Sequence, residues 1–176
     1  MGNRQVIVLF NGPQGVGKST LAECLAKEST RSVLLDADKI KRQVVGGYVG
    51  PDNKNKEEFL RLKILAADII VAQTRIYLEN GFSVFIADLF HHLEVENVYN
   101  QLANNGIFFK ILLMPDIKTA IERDVARKDI KKQGVKNISG MYRHFRIRDF
   151  SNWVKLDTSG KTIDESLQLI HLVIRL

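Results

Sequence analysis

A single cysteine, Cys24, stands in the 176 residues. No intrachain disulfide can form, and zinc sites built from four thiolates are excluded. Cys24 falls on the apolar side of a helical stretch and is expected to be a small core residue. Long apolar runs are also missing. None approaches the roughly 18 residues that would suggest a membrane span, so no membrane partner is expected. The first apolar run, Val6–Phe10, is too short for a secretory signal. Val6 stands where N-myristoylation needs Ser or Thr, which removes that reading of Met1-Gly2. The cytoplasm is the expected compartment. Internal repeats, low-complexity tracts and linkers are absent too. With 45% hydrophobic and 26% charged residues, the composition is that of an ordinary globular protein, and the length predicts one domain over residues 1–176.

Charge is the uneven property. The net charge is +6, and residues 122–148 hold nine Lys/Arg against three Asp/Glu. That block carries the whole excess, so the rest of the chain balances to zero. A local basic block predicts either a solvated surface loop or a phosphate-facing flap.

The most informative stretch is Gly12-Pro13-Gln14-Gly15-Val16-Gly17-Lys18-Ser19-Thr20. It has the spacing of a phosphate-binding loop (the Walker A pattern), and a buried-strand run precedes it while a helical run follows. The residue types follow from the chemistry. A triphosphate needs many donors at close range, and bare backbone supplies them only where no side chain intrudes. The N-terminus of the following helix adds unpaired N–H groups and partial positive charge. Lys18 can neutralise the β- and γ-phosphates, and Ser19 can ligate Mg²⁺.

Along the chain, apolar runs alternate with helical periodicity. Strands are predicted at 6–10, 32–36, 82–88, 107–113 and 153–157. Helices are predicted after the loop, from 37 with Asp38 as N-cap, over 55–79, over 94–104, and from Pro115-Asp116 to about Arg127 with Pro in the first turn. Weak periodicity follows around Met141–Phe150, and a last helix runs from Ile163 to Ile174. In the helix over 55–79, Phe59, Leu62, Leu65, Ala66, Ile69, Ala72 and Ile76 mark the expected apolar stripe. The alternation implies an α/β three-layer sandwich: a five-stranded parallel sheet with helices on both faces. Ligands in such sheets sit at the carboxyl ends of the strands. The phosphate loop, Asp36, Asp38 and Asp88 all follow strands and should converge there.

The loop alone does not separate the classes that use it. A GTPase needs an Asn-Lys-x-Asp motif after a late strand, and Asn53-Lys54-Asn55-Lys56 lacks the Asp. A motor ATPase usually pairs Asp with Glu at a strand end, and here Asp88 is followed by Leu89. A small kinase remains. Asp36 and Asp38 lie two apart at a strand end, where one can hold a Mg²⁺ water and the other can accept or orient the proton of an attacking hydroxyl. Arg123 and Arg127 share a helix face and suit the spread charge of a transferring phosphoryl group. A segment over about 127–148 would close as a lid that excludes water. His91-His92 reads as a pocket rim or plain surface, because neighbouring histidines seldom share a metal unaided.

These residues resemble the small P-loop kinases of metabolites and polynucleotide ends. Leu35-Asp36-Ala37-Asp38-Lys39-Ile40 looks like the Asp-x-Asp segment of adenylylsulfate and shikimate kinases, and Arg123-Asp124 resembles the lid entry of the former. Asp88 is closer to chloramphenicol phosphotransferases, zeta-type kinases and polynucleotide kinases. Asp157-Thr158 resembles the adenine-side turn of several of these families. The resemblance implies ATP, Mg²⁺ and transfer to a hydroxyl. It assigns Lys18, Asp38, Arg123 and Arg127 to catalysis, Gly12–Thr20 to the nucleotide, Asp38, Lys41 and Asp88 to the acceptor, and Ser19 and Asp36 to the metal. Lys39 and Lys41 stand where adenylylsulfate kinases carry Asn and Arg, and Asp88-Leu89-Phe90 replaces their Ser-Pro. The expected acceptor is a small-molecule hydroxyl. A 5′-hydroxyl nucleic-acid end is the alternative, with Tyr142 and Phe145 as base stackers. A nucleotide-dependent binding switch without transfer is the reading from another class. The chain is expected to be a monomer or a homodimer.

Overall fold

The computed structural model describes residues 5–51, 53–126 and 132–174. Its centre is β1 (Val6–Asn11), all six residues of which are buried. A strand buried on both faces needs helices on both, and the chain supplies them alternately. From β1 it passes through α1 (Lys18–Glu28) to β2 (Ser32–Asp36), then α2 (Ala37–Lys41) and α3 (Lys56–Glu79) to β3 (Ser83–Ala87). It continues through α4 (Leu93–Asn100) and a 3-10 turn to β4 (Ile107–Leu113), then α5 (Ile117–Val125) and α6 (Gly134–Ile147) to β5 (Val154–Leu156), and ends in α7 (Ile163–Ile174). The strand order is β2-β3-β1-β4-β5, all parallel. Val8 sits opposite Phe85 of β3 and Phe109 of β4.

Alternation along β1 divides the interior in two. Ile7 and Leu9 join a core closed by α2, α3 and α4. Val6, Val8 and Phe10 join the other, closed by α1, α5 and α7. This is the three-layer sandwich expected from the sequence. Full burial of each large aliphatic side chain contributes about 1.5–3 kcal/mol, so the two clusters set the sheet's position far more firmly than any surface contact. Among the described residues no helix is long and apolar enough to cross a membrane.

Five expectations change in detail. The apolar stripe of α3 is displaced: Leu62, Ala66, Ala67, Ile70 and Val71 are buried, whereas Leu65 is 40% and Ile76 59% exposed and Ala72 lies outside. The helix is apolar around much of its circumference, so periodicity alone allowed more than one face, and packing on the sheet chose. The cap of α2 is Asp36, whose carboxylate accepts the Asp38 and Lys39 amides, not Asp38. Helix α5 is capped by Asp116, which leaves Pro115 ahead of the first turn. Helix α6 begins at Gly134 and not near Met141, with Ile138, Tyr142 and Phe145 as its buried stripe. Cys24 is only half-buried, against the second core.

Candidate active site

The predicted phosphate loop connects β1 to α1, and its glycines are there for lack of space. Gly12 has φ +143°, and a β-carbon on it would stand 2.3 Å from the Leu113 carbonyl oxygen. Gly15 has φ +79°, and its β-carbon would stand 2.4 Å from that of Ala120. Gly15→Ala is therefore expected to cost at least about 1–2 kcal/mol from left-handed backbone alone. Its melting temperature should fall by roughly 2–4 °C per kcal/mol for a chain of this size, and titration calorimetry should show weakened binding of magnesium nucleotide.

Asn11, the last residue of β1, anchors the loop from below. Its buried amide accepts the Gly12 and Phe90 N–H groups (2.8 and 3.2 Å) and donates to the Phe90 carbonyl (2.9 Å). The backbone N–H of Asp88 donates to Phe10 O at 3.1 Å. The segment after β3 is thereby fixed beside the loop. Lys18 opens α1 and curls back, its ammonium donating to the Gly12 and Pro13 carbonyls at 2.9 and 2.7 Å. Ser19 Oγ stands 3.4 Å from Asp36 Oδ2.

Those two side chains offer the hard oxygen donors that suit Mg²⁺, and the glycine cradle beside them has the room a polyphosphate needs. The residues present therefore fit a magnesium nucleotide: Ser19 and Asp36 for the metal, backbone and Lys18 for the phosphates.

Asp38 faces the same cleft, a space of about 570 Å³ that also takes in Lys41, Lys63 and Asp88. Its carboxylate is ion-paired to Lys41 at 2.6 Å with its tip still open to solvent. Burial pushes the Asp38 carboxyl up, but Lys41, then Lys63 and Lys18, outweigh it and hold it below its ordinary value. Burial likewise pulls on Lys41, which Asp88 and Asp38 together raise above the usual lysine value. Asp88 is 5% exposed and accepts from the Tyr99 hydroxyl (2.9 Å) and the Leu89 amide (2.6 Å). Burial and that carboxylate push the Tyr99 hydroxyl well above its usual value.

Lys18, Ser19, Asp36, Asp38, Lys41 and Asp88 thus come together at one cleft, as the sequence predicts. Arg123 does not point there. Its guanidinium donates to Val16 O, Thr158 Oγ1 and O, and Lys161 O at 2.8–3.2 Å. It forms a wall of a separate cavity of about 250 Å³ beside Gly15–Gly17, Lys161 and Ser166. That position stitches the phosphate loop to the Asp157-Thr158 turn. Arg127 lies outside the described residues, as does the start of the segment expected to act as a lid. The described remainder of that segment is α6, packed by its apolar stripe. Tyr142 is in the core with its hydroxyl on Pro115 O (2.9 Å), and Phe145 stacks on Phe150, so neither is presented to a nucleobase.

His91 lies between two other imidazoles, with ring centroids 4.2 Å from His92 and 4.5 Å from His144 of α6. Burial, then the neighbouring histidines, pulls His91 down to about 4, so the stack is uncharged at that ring near neutrality. Among the described residues, no three His, Cys, Asp or Glu side chains are arranged to hold a metal ion. Lys63 and Asn11 were not foreseen. A lysine within a long helix reads as surface, and a polar residue at the end of an apolar strand reads as a loop boundary.

The sequence model of the family described as AAA domain matches residues 7–145. The chain belongs to this AAA domain family. The chain resembles an adenylyl-sulfate kinase of Bacteroides thetaiotaomicron, 23% identical over 99% of this chain and 86% of that one. Two solved structures share the architecture of this AAA domain. One is an APS kinase from Mycobacterium tuberculosis in complex with AMPPNP and APS, with TM-score 0.65 and 17% identity over 98% of this chain and 99% of that one. The other is a shikimate kinase from Acinetobacter baumannii in complex with shikimate, with TM-score 0.68 and 18% identity over 99% and 95%. The fold of this AAA domain is that of the small P-loop kinases.

Proposed function

We propose that this chain is an ATP- and Mg²⁺-dependent kinase that transfers the γ-phosphoryl group to a hydroxyl of a small molecule. The observation that carries the reading is the placement of Asp38 across one cleft from Lys18, Ser19 and Asp36. The adenylyl-sulfate kinase names of its relatives support it. Burial of Tyr142 and Phe145 favours a small acceptor over a nucleic-acid end.

In this mechanism the bare amides of Gly12–Thr20 and the ammonium of Lys18 bind the β- and γ-phosphates, Lys18 exchanging its two carbonyl partners for phosphate oxygens. Bound by Ser19 and Asp36, Mg²⁺ would neutralise charge on the phosphate oxygens. Asp38 receives the acceptor's hydroxyl, orients its oxygen toward the γ-phosphorus and takes up the proton as the new O–P bond forms and the bond from the γ-phosphorus to the β–γ bridging oxygen breaks, with ADP leaving. A carboxylate held ionised by Lys41 is in the correct state to do so. The charge of Asp88, whose carboxylate accepts from Tyr99, helps keep Lys41 protonated. Arg123 shapes the nucleotide end, and Arg127 remains the candidate for the transferring group.

The test is ADP release, coupled to a detectable signal, across a panel of metabolites, nucleosides, antibiotics and 5′-hydroxyl oligonucleotides. Acceptor-dependent release is expected for at least one small alcohol. Asp38→Asn should lower it by about 10²–10⁴-fold while magnesium nucleotide still binds. Nucleotide binding with no acceptor-dependent release anywhere in the panel would establish the switch instead.

A further inference from the structure

The acceptor end of the cleft contains a buried cation that the protein does not neutralise by contact. Lys63 is 5% exposed. Its ammonium donates to the Leu89 carbonyl and lies 5.2 Å from the centre of the Phe59 ring. An ammonium has three donors. Among the described residues no carboxylate forms an ion pair with it. The acids whose field reaches it, Asp88 and Asp38, are otherwise engaged. Asp38 holds Lys41 at 2.6 Å, and both oxygens of Asp88 accept from Tyr99 and Leu89.

The wider charge pattern points the same way. Lys39, Lys41, Arg42 and Lys63 line this end of the cleft against Asp38 and Asp88, once Asp36 is given to the metal. Buried charges are normally paired, because leaving one uncompensated costs several kcal/mol. A cation kept unpaired in the wall of an open cleft is poised for a partner that arrives with the ligand.

We infer that the acceptor carries an oxyanion, a sulfate, phosphate or carboxylate group, which docks on Lys63 while the hydroxyl faces Asp38. Lys39 and Arg42, both exposed at the rim, face the same anion. The inference rests on the kinase reading for the word acceptor, but the anion site itself does not. Burial, followed by Lys41, pulls the Lys63 ammonium down to about 8, with Asp88 and Asp38 opposing. In the segment after β3 its charge adds to the burial that lowers the titration of His91 and His92. The group is therefore protonated at neutral pH and loses its charge just above it. A bound anion would move its titration upward.

The test uses the whole chain saturated with magnesium and a non-hydrolysable ATP analogue, so that the phosphate loop is already filled. Inorganic sulfate, inorganic phosphate and acetate are then titrated separately. Binding is followed by calorimetry and by the ε-carbon NMR signals of lysine-labelled protein. One saturable anion site is expected, which moves the Lys63 signal and raises its apparent pKa. The affinity should drop as the pH rises above about 8. Lys63→Met should weaken binding at least tenfold, Lys63→Arg should restore much of it, and the surface variant Lys155→Gln should match wild type. The preferred anion among the three identifies the group.

A filled phosphate loop with no second anion site overturns the inference. So does equal affinity in a Lys63→Met protein that melts normally. If Lys63→Met fails to fold, the wild-type Lys63 signal decides: movement with nucleotide alone and none with anion is equally fatal. An intact anion site without any phosphotransfer would sink the kinase reading and leave this one standing. Transfer to neutral alcohols with no anion site would do the reverse.

Discussion

Lys18→Ala is expected to lower kcat by roughly 10²–10³-fold, about 3–4 kcal/mol of transition-state stabilisation, the scale seen when one preorganised donor is removed from developing charge. The ammonium lies over the loop on the Gly12 and Pro13 carbonyls, within the compass of any phosphate the loop binds. Its charge is needed more as the γ-phosphoryl group separates than in the ground state, so kcat should fall further than nucleotide affinity. The fold should change less than the rate, since hydrogen bonds from a half-exposed side chain are partly replaced by water and contribute about 0.5–1.5 kcal/mol each. Steady-state kinetics with the best acceptor, beside a thermal melt, gives both numbers. Turnover within threefold of wild type would remove Lys18 from the chemistry and, with it, the central role of the loop.

Sequence made some of this architecture plain and left some of it hidden, for physical reasons. Gly12 and Gly15 could be read because their backbone has no room for a β-carbon, a demand that holds in any fold. The strands could be read because a sheet covered on both faces needs unbroken apolar runs, and Val6–Phe10 is one. Asp36 and Asp38 were visible as a pair at a strand end, but their division of labour was not. Which of them caps α2 depends on one turn of backbone, and the structure gives that bond to Asp36.

Other features exist only in three dimensions. Lys63 lies on a helix that is apolar on most of its faces, and nothing in its neighbours distinguishes a buried lysine from a surface one. The start of α6 was obscured because Gly134, Ser139 and Gly140 are poor helix formers, while the helix is held by Ile138, Tyr142 and Phe145, which join the two cores. Arg123 looked like a catalytic arginine because its helix position suits one. Its actual partners, Thr158 and Lys161, are more than thirty residues away in sequence.

The second large effect concerns Glu96, which no motif marks. It is buried in α4 and gathers three donors: Lys110 of β4 at 2.8 Å, the Trp153 indole N–H at 2.7 Å, and Arg148 just past α6. Its side chain is 6% exposed, with Lys110 at 12% and Arg148 at 8%. Arg148 lies near the Phe90 and Phe150 rings, and Lys110 lies over Trp153. One carboxylate therefore compensates two buried cations, and it joins α4, β4 and the end of α6. Glu96→Gln removes the charge and keeps the shape. The two cations would then be stranded in apolar surroundings, and breaking a buried pair in this way costs about 3–5 kcal/mol. A drop in melting temperature of about 10 °C is expected for a chain of this length. Acid should mimic the mutation. Burial pushes the Glu96 carboxyl up, but Lys110 and the Trp153 hydrogen bond more than offset it, so its folded value lies below the ordinary 4.5. The stability it contributes is complete above the unfolded value and is lost as the pH falls through the depressed folded one. The difference in melting temperature between wild type and Glu96→Gln should accordingly be full above about pH 5 and shrink progressively as the pH falls below the unfolded 4.5. A constant difference across that range would mean that packing, and not charge, is what Glu96 supplies.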